Sequence, residues 1–121
     1  MNYEFDNNIP IYIQLVENIK MKIISGKLNP GDRLPSVRDF ALITKVNPNT
    51  MQKALSELEE LKLIYTERTN GKYITNDKDL INSYKEDYAN ELSKKYFTSM
   101  ELLGFSKTET IKYIKKLEGD K

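Results

Sequence analysis

Neither cysteine nor histidine occurs among the 121 residues. That removes disulfides, thiolate metal sites, cysteine nucleophiles and the commonest general base together. No pair of carboxylates has a recognisable catalytic setting, so an enzyme is the least favoured class, and no metal or cofactor is expected. The directed chemistry that remains is hydrogen bonding, concentrated between Ser36 and Lys72. Between positions 33 and 53 stand Arg33, Arg38, Lys45 and Lys53 against one acid, Asp39, with Asn47, Asn49, Thr50 and Gln52 interleaved. A guanidinium matches a phosphate or the edge of a guanine. An amide side chain matches adenine, and lysines bind backbone phosphate without reading sequence. Further on, Arg68, Asn70 and Lys72 surround Gly71, a basic turn suited to the minor groove or to phosphate.

Each residue also has a plainer use. Arg38 could be spent in a surface ion pair, and Lys45 and Lys53 could be solvated lysines. Ser36 and Asn47 are helix caps first, and Asn70-Gly71 is first a turn. The net charge is only +1, which argues against attachment to nucleic acid by bulk charge. The cations are instead local, for Glu57, Glu59 and Glu60 crowd the far end of the helix that carries Lys53.

Those side chains need elements to carry them. Pro10 suits a first helical position and Gly26 a helix end. Between them Tyr12, Leu15, Val16, Ile19 and Ile23 recur at helical spacing and form a core face. Pro30-Gly31 makes a turn, with Leu28 and Leu34 as core plugs. Ser36 and Asp39 then form a capping box for a second helix ending near Thr44. Asn47 caps a third helix with Pro48 in its first turn, and Met51, Ala54, Leu55, Leu58 and Leu61 line its buried face. Two short strands, 63–67 and 72–75, turn at Asn70-Gly71. Helix, short turn, helix and hairpin make the layout of a winged helix-turn-helix.

From position 76 the pattern becomes a long helix, with Asp77 or Asp79 near its start, stopped at Gly104. Ser106 and Glu109 are a second capping box opening a last helix. Tyr84, Tyr88, Leu92, Tyr96, Met100 and Leu103, then Ile111 and Ile114, form an apolar stripe. Such a pair of helices cannot bury its own stripe, and a second copy of the chain is the favoured cover. The fold class is therefore mainly α with a small β-hairpin, a winged helix-turn-helix over 1–75 followed by a two-helix dimerisation tail over 76–121. The tyrosines of the tail lie at helical spacing, which favours core or interface over a stacking surface for single strands. With 39% apolar and 31% charged residues, no window approaching a membrane span and no signal-peptide pattern at the N-terminus, cytoplasmic residence is expected and membrane association is not.

The residues Pro10-x-Tyr12-x-Gln14, Gly26-x-Leu28-x-x-Gly31-Asp32, Leu34-Pro35-Ser36-x-Arg38, Ala41, Val46, Thr50, Ala54, Leu58-Glu59 and the wing at Gly71 occur in an order that resembles the DNA-binding domain of the GntR family of bacterial transcription regulators. The short tail and Val46-Asn47-Pro48-Asn49-Thr50 resemble its YtrA subfamily, whose members lack the large effector domain of their relatives. The resemblance implies double-stranded DNA as partner, repression as the usual mode, and a site at Ser36, Arg38, Lys45, Asn47, Asn49, Thr50, Gln52, Lys53, Arg68, Asn70, Gly71 and Lys72. It also implies a dimer on a palindromic operator, often near transporter genes, with a small-molecule effector left open. Pro48 and Asn49 stand where many relatives carry arginine, and the wing has one glycine where many have two. The alternative is a winged-helix protein-interaction module without specific DNA binding.

Overall fold

The structure, a computed structural model, describes residues 5–119. Its elements run α1 (Ile11–Ile24), α2 (Val37–Thr44), α3 (Pro48–Glu60), β1 (Ile64–Glu67), β2 (Gly71–Ile74), α4 (Lys78–Leu102) and α5 (Lys107–Gly119). Two compact units divide between Tyr84 and Lys85.

In the first unit the apolar positions of α1, α2 and α3 converge on one core. Leu15, Ile19, Phe40, Met51, Leu55 and Leu58 are fully buried there with Leu63 and Ile74. Complete burial of each large aliphatic or aromatic side chain contributes about 1.5–3 kcal/mol, so this cluster holds the three helices together. Pro10 is the N-cap of α1, with extended ψ 137°, and not its first helical residue. Asn47 caps α3 as expected, its Oδ1 accepting from Asn49 N at 2.8 Å, and Pro48 follows at the first helical position.

The capping box of α2 is only half formed. Ser36 Oγ accepts from Asp39 N at 3.1 Å, but among the described residues the Asp39 carboxylate returns no bond. Its side chain is one methylene shorter than the usual Glu. In α5 the box closes both ways: Glu109 N donates to Ser106 Oγ and Ser106 N to Glu109 Oε1, both at 3.1 Å.

The hairpin differs in its turn from the two-residue Asn70-Gly71 type that the sequence suggests. Glu67 pairs with Gly71 and Thr66 with Lys72, so the tip is the three residues Arg68, Thr69 and Asn70. Asn70 N donates to the Glu67 carbonyl at 3.2 Å, and Gly71, at φ +103°, supplies the positive φ that turns the chain back. This is the three-residue hairpin solution, in which one glycine after the turn replaces two left-handed central residues.

A third segment lies along the outer edge of β2. Gly31 N donates to the Ile74 carbonyl at 3.0 Å, Ile74 N to that of Asp32 at 2.8 Å and Leu34 N to that of Lys72 at 2.8 Å, with Arg33 bridging Tyr73. Gly31 is required at this approach: φ is +82°, and a Cβ would stand 2.8 Å from Asn76 Oδ1. The segment that follows α1 is thereby fastened to the wing.

The divide falls later than the expected break at 75/76, because the first two turns of α4 belong to the first unit. Asp77 Oδ1 accepts from Leu80 N at 3.0 Å and caps α4. Ile81 and Tyr84 then pack on the winged core. In the second unit α4 ends at Leu102 and Gly104, at φ +92°, turns the chain into α5. Phe105 and Tyr113 meet edge to face at 5.7 Å across that turn. No helix of the described residues is long and apolar enough to cross a membrane.

Candidate nucleic-acid interface

Two helix starts and one turn carry the expected polar residues. Arg38 is the second residue of α2, exposed, and without a hydrogen bond or ion pair among the described residues. Lys45 closes α2 in the left-handed region at φ +58°. Val46 N then donates to the Ala41 carbonyl at 3.0 Å, ending the helix so that α3 can leave in a new direction. The first turn of α3 carries Asn49, exposed, and Thr50, half-buried. Gln52 lies one turn on and donates from Nε2 to Ser56 Oγ at 3.2 Å. Lys53 is exposed, with its ammonium 3.8 Å from the centre of the Tyr12 ring on α1. A cation over an aromatic face gains roughly 0.5–1 kcal/mol at an exposed site, so Lys53 is held near the helix surface and not fully extended.

At the wing, Arg68 is exposed without a partner among the described residues. Asn70 donates from Nδ2 to Glu67 Oε2 at 3.2 Å. Lys72 corrects the expectation that it extends from the tip. Its Nζ lies 2.5 Å from Glu59 Oε1 of α3 and 2.9 Å from Thr66 Oγ1, and its side chain is 16% exposed. The Thr66 hydroxyl donates to the same Glu59 oxygen. The register sets this, since Lys72 pairs with Thr66 and the two side chains leave one face of the hairpin toward the C-terminal end of α3. Partial burial would raise the Glu59 carboxyl, but the hydrogen bonds from Lys72 and Thr66 and the charge of Lys72 together hold it below its ordinary value.

Arg33 belongs to the basic cluster of the sequence but not to the expected site residues, and the structure puts it at the wing. A Cβ on Gly71 would stand 3.6 Å from its Nη2 and 3.7 Å from its Nε. Arg33, Ser36, Val37, Thr66, Gly71 and Lys72 share one cleft between the start of α2 and the wing. The only sequence signal for this was the charge cluster itself. Ser36 and Gly71 are thus brought together. Asn49 and Lys72 are not: Lys72 sits at Glu59, about 15 Å along the α3 axis from Asn49 at 1.5 Å per residue.

The expected interface stripe is divided as well. Tyr84 is engaged inside the winged unit, its hydroxyl donating to the Leu61 carbonyl at 3.1 Å and its ring beneath Lys20 Nζ at 5.0 Å. Tyr88 is half-buried and Met100 buried, whereas Leu92, Tyr96, Leu103, Ile111 and Ile114 are exposed.

The model of the bacterial regulatory proteins of the gntR family matches residues 11–74 of this chain, from the start of α1 to the end of the wing. The chain belongs to the GntR family. This GntR regulator is 36% identical over 115 residues to the HTH-type transcriptional regulator YhcF of Bacillus subtilis, covering 95% of each chain. It is 35% identical to the transcriptional repressor YtrA of the same organism, covering 94% of this chain and 88% of that one. A GntR family regulator from Listeria monocytogenes superposes with a TM-score of 0.81 at 43% identity, over 93% of this chain and 98% of that one. The DNA-binding domain of AraR, solved with its operator ORR3, matches at TM-score 0.53 and 27% identity over 62% of this chain and 88% of that one. The winged helix-turn-helix of this GntR chain is therefore a DNA-binding domain, and its short two-helix tail is of the YtrA type.

Proposed function

We propose that this GntR regulator is a homodimeric repressor of a palindromic double-stranded operator, and that bound dimer occludes a promoter. Arg38, Asn49, Thr50 and Gln52 form the reading surface, and Arg38 is the observation that carries this reading: a partnerless guanidinium at a helix start of a DNA-binding domain. In a protein-only role it would pair with an anion, and among the described residues none pairs with it. Lys45, Lys53 and Arg68 add phosphate contacts, and Ser36 and Asn47 hold the two helix starts rigid. The dimer is supported by the tail, where Leu92 is 64%, Leu103 73% and Leu117 54% exposed. That much apolar surface on two helices is suited to burial against a copy of itself. The name of the B. subtilis relative YtrA supports repression. A small molecule that favours a DNA-incompetent state of the dimer would release the promoter.

The test is retention of fluorescent genomic fragments, the regulator's own promoter among them, at two salt concentrations with competitor DNA. A retained fragment with a two-fold symmetric footprint is expected. Leu42, 71% exposed on α2, with Ile43, 55% exposed, favours a second reading as a protein-interaction module. Failure of the folded dimer to retain any fragment, even at low salt, moves the assignment there.

A further inference from the structure

Two cations line the cleft between the wing and the start of α2, and the fold treats them differently. Lys72 belongs to the wing itself, yet its ammonium is turned away to Glu59 and Thr66, where it is largely shielded. Arg33 belongs to the segment after α1, far along the chain, yet the main-chain bridge to Tyr73 lays it beside β2. Its guanidinium borders Gly71, the position where a side chain is missing. Arg33 is exposed and has no hydrogen bond or ion pair among the described residues. It also lines the cleft whose other wall is Ser36 and Val37 at the start of α2.

We infer that Arg33 is a further cation with which the wing region holds the DNA backbone, beside Arg68 at the tip, and that Lys72 is a positioning residue that latches the wing to α3. This role rests on the DNA-binding reading and gives Arg33 a contact that no charge on the wing strands supplies. A phosphate in the cleft meets the Arg33 fork without breaking any bond in the protein. Lys72 already spends two of its three N–H donors on Glu59 and Thr66, so a phosphate there would compete with a formed ion pair. The absent side chain at Gly71 leaves the guanidinium room to approach the backbone closely.

Counterion release separates the two roles, because each phosphate neutralised adds about 0.9 to the slope of log affinity against log salt on duplex DNA. The probe is a random-sequence duplex, so no operator need be known. Titrations of the full chain across a salt series are run for wild type, Arg33→Met, Lys72→Met and Glu59→Gln, each with a thermal melt. Arg33→Met is expected to lower the slope by about 0.9 with an unchanged melting temperature. Lys72→Met is expected to lower the melting temperature and leave the slope unchanged. Glu59→Gln, which frees Lys72, is expected to raise the slope toward one further contact. A wild-type slope retained in Arg33→Met, or a slope lost in Lys72→Met, overturns the inference. Should Lys72→Met fail to fold, the Glu59→Gln slope decides: one at or below the wild-type value overturns it. Wild type that binds no duplex at any salt overturns the DNA reading itself, a result distinct from all of these.

Discussion

Among the described residues Arg38 is left unpaired by helical geometry as much as by composition. Asp39 is its immediate neighbour, but consecutive residues on a helix point about 100° apart and do not face each other. The positions that do face Arg38 are Ala41 and Leu42, one turn on, and neither offers an anion. Arg38→Ala is therefore expected to cost DNA binding about 1.5–3 kcal/mol, the range for a charge-assisted hydrogen bond, with folding and dimerisation unchanged. Titration against the retained fragment, paired with a thermal melt, checks this, and unaltered affinity counts against the docking face. Glu59 sets a different prediction. Its carboxyl is held below its ordinary value of 4.5. A depressed folded value means that its contribution is present above 4.5 and is lost as pH falls through the lowered one. Glu59→Gln is expected to melt at lower temperature than wild type at pH 7, the gap narrowing on acidification below pH 4.5. A gap independent of pH would mean that the carboxylate charge is not what holds the wing.

The elements themselves are specified by short-range signals that can be checked one helix end at a time. α3 stops because Lys62 adopts φ +67°, after which Leu63 N donates to the Leu58 carbonyl at 3.1 Å. The same device ends α2 at Lys45. A lysine in the left-handed region costs about 1–2 kcal/mol that glycine avoids, offset in part by the extra freedom of glycine in the unfolded chain. Lys62→Gly is accordingly expected to stabilise the winged unit by about 0.5–1 kcal/mol, read from the midpoint of urea unfolding. A loss of stability would show that the aliphatic stem of Lys62, not its backbone, matters there. The contrast between the two capping boxes belongs to this scale too. Glu109 reaches the Ser106 amide and its carboxyl is held below the ordinary value by bonds from the Ser106 backbone and side chain. Asp39 leaves the equivalent amide at α2 unserved.

At the scale of the whole molecule the proposed dimer rests on the tail, which would bring a second reading head to the duplex. Leu103 is 73% exposed and Leu92 64%, so neither contributes much to the fold of a single chain. Leu92→Asp combined with Leu103→Asp is expected to give a folded monomer by sedimentation, with affinity for a two-fold symmetric fragment reduced at least about tenfold through loss of the second, linked contact. A double variant that remains dimeric would place the interface elsewhere. Tyr84 is the wrong residue for that experiment: its hydroxyl bond to Leu61 makes it part of the winged unit.

The helices, most of their caps and the existence of a wing were legible in the sequence, whereas the start of α1 and the Asp39 half of the α2 box were not. Asn47, Pro48, Asp77, Ser106 and Glu109 act on backbone within a few residues of themselves, and the apolar period of a helix needs no knowledge of its partner. The position of Gly71 signalled a turn but not its length, because one glycine serves both a two-residue and a three-residue hairpin. The partners of the charged residues were not legible. Lys72 meets Glu59, 13 residues away, Tyr84 meets Leu61, 23 away, and Arg33 and Lys53 end beside Gly71 and Tyr12. A long flexible side chain carries no local preference for one such partner over another. Strand register and helix packing bring the partners into reach, and those are settled only when the core closes.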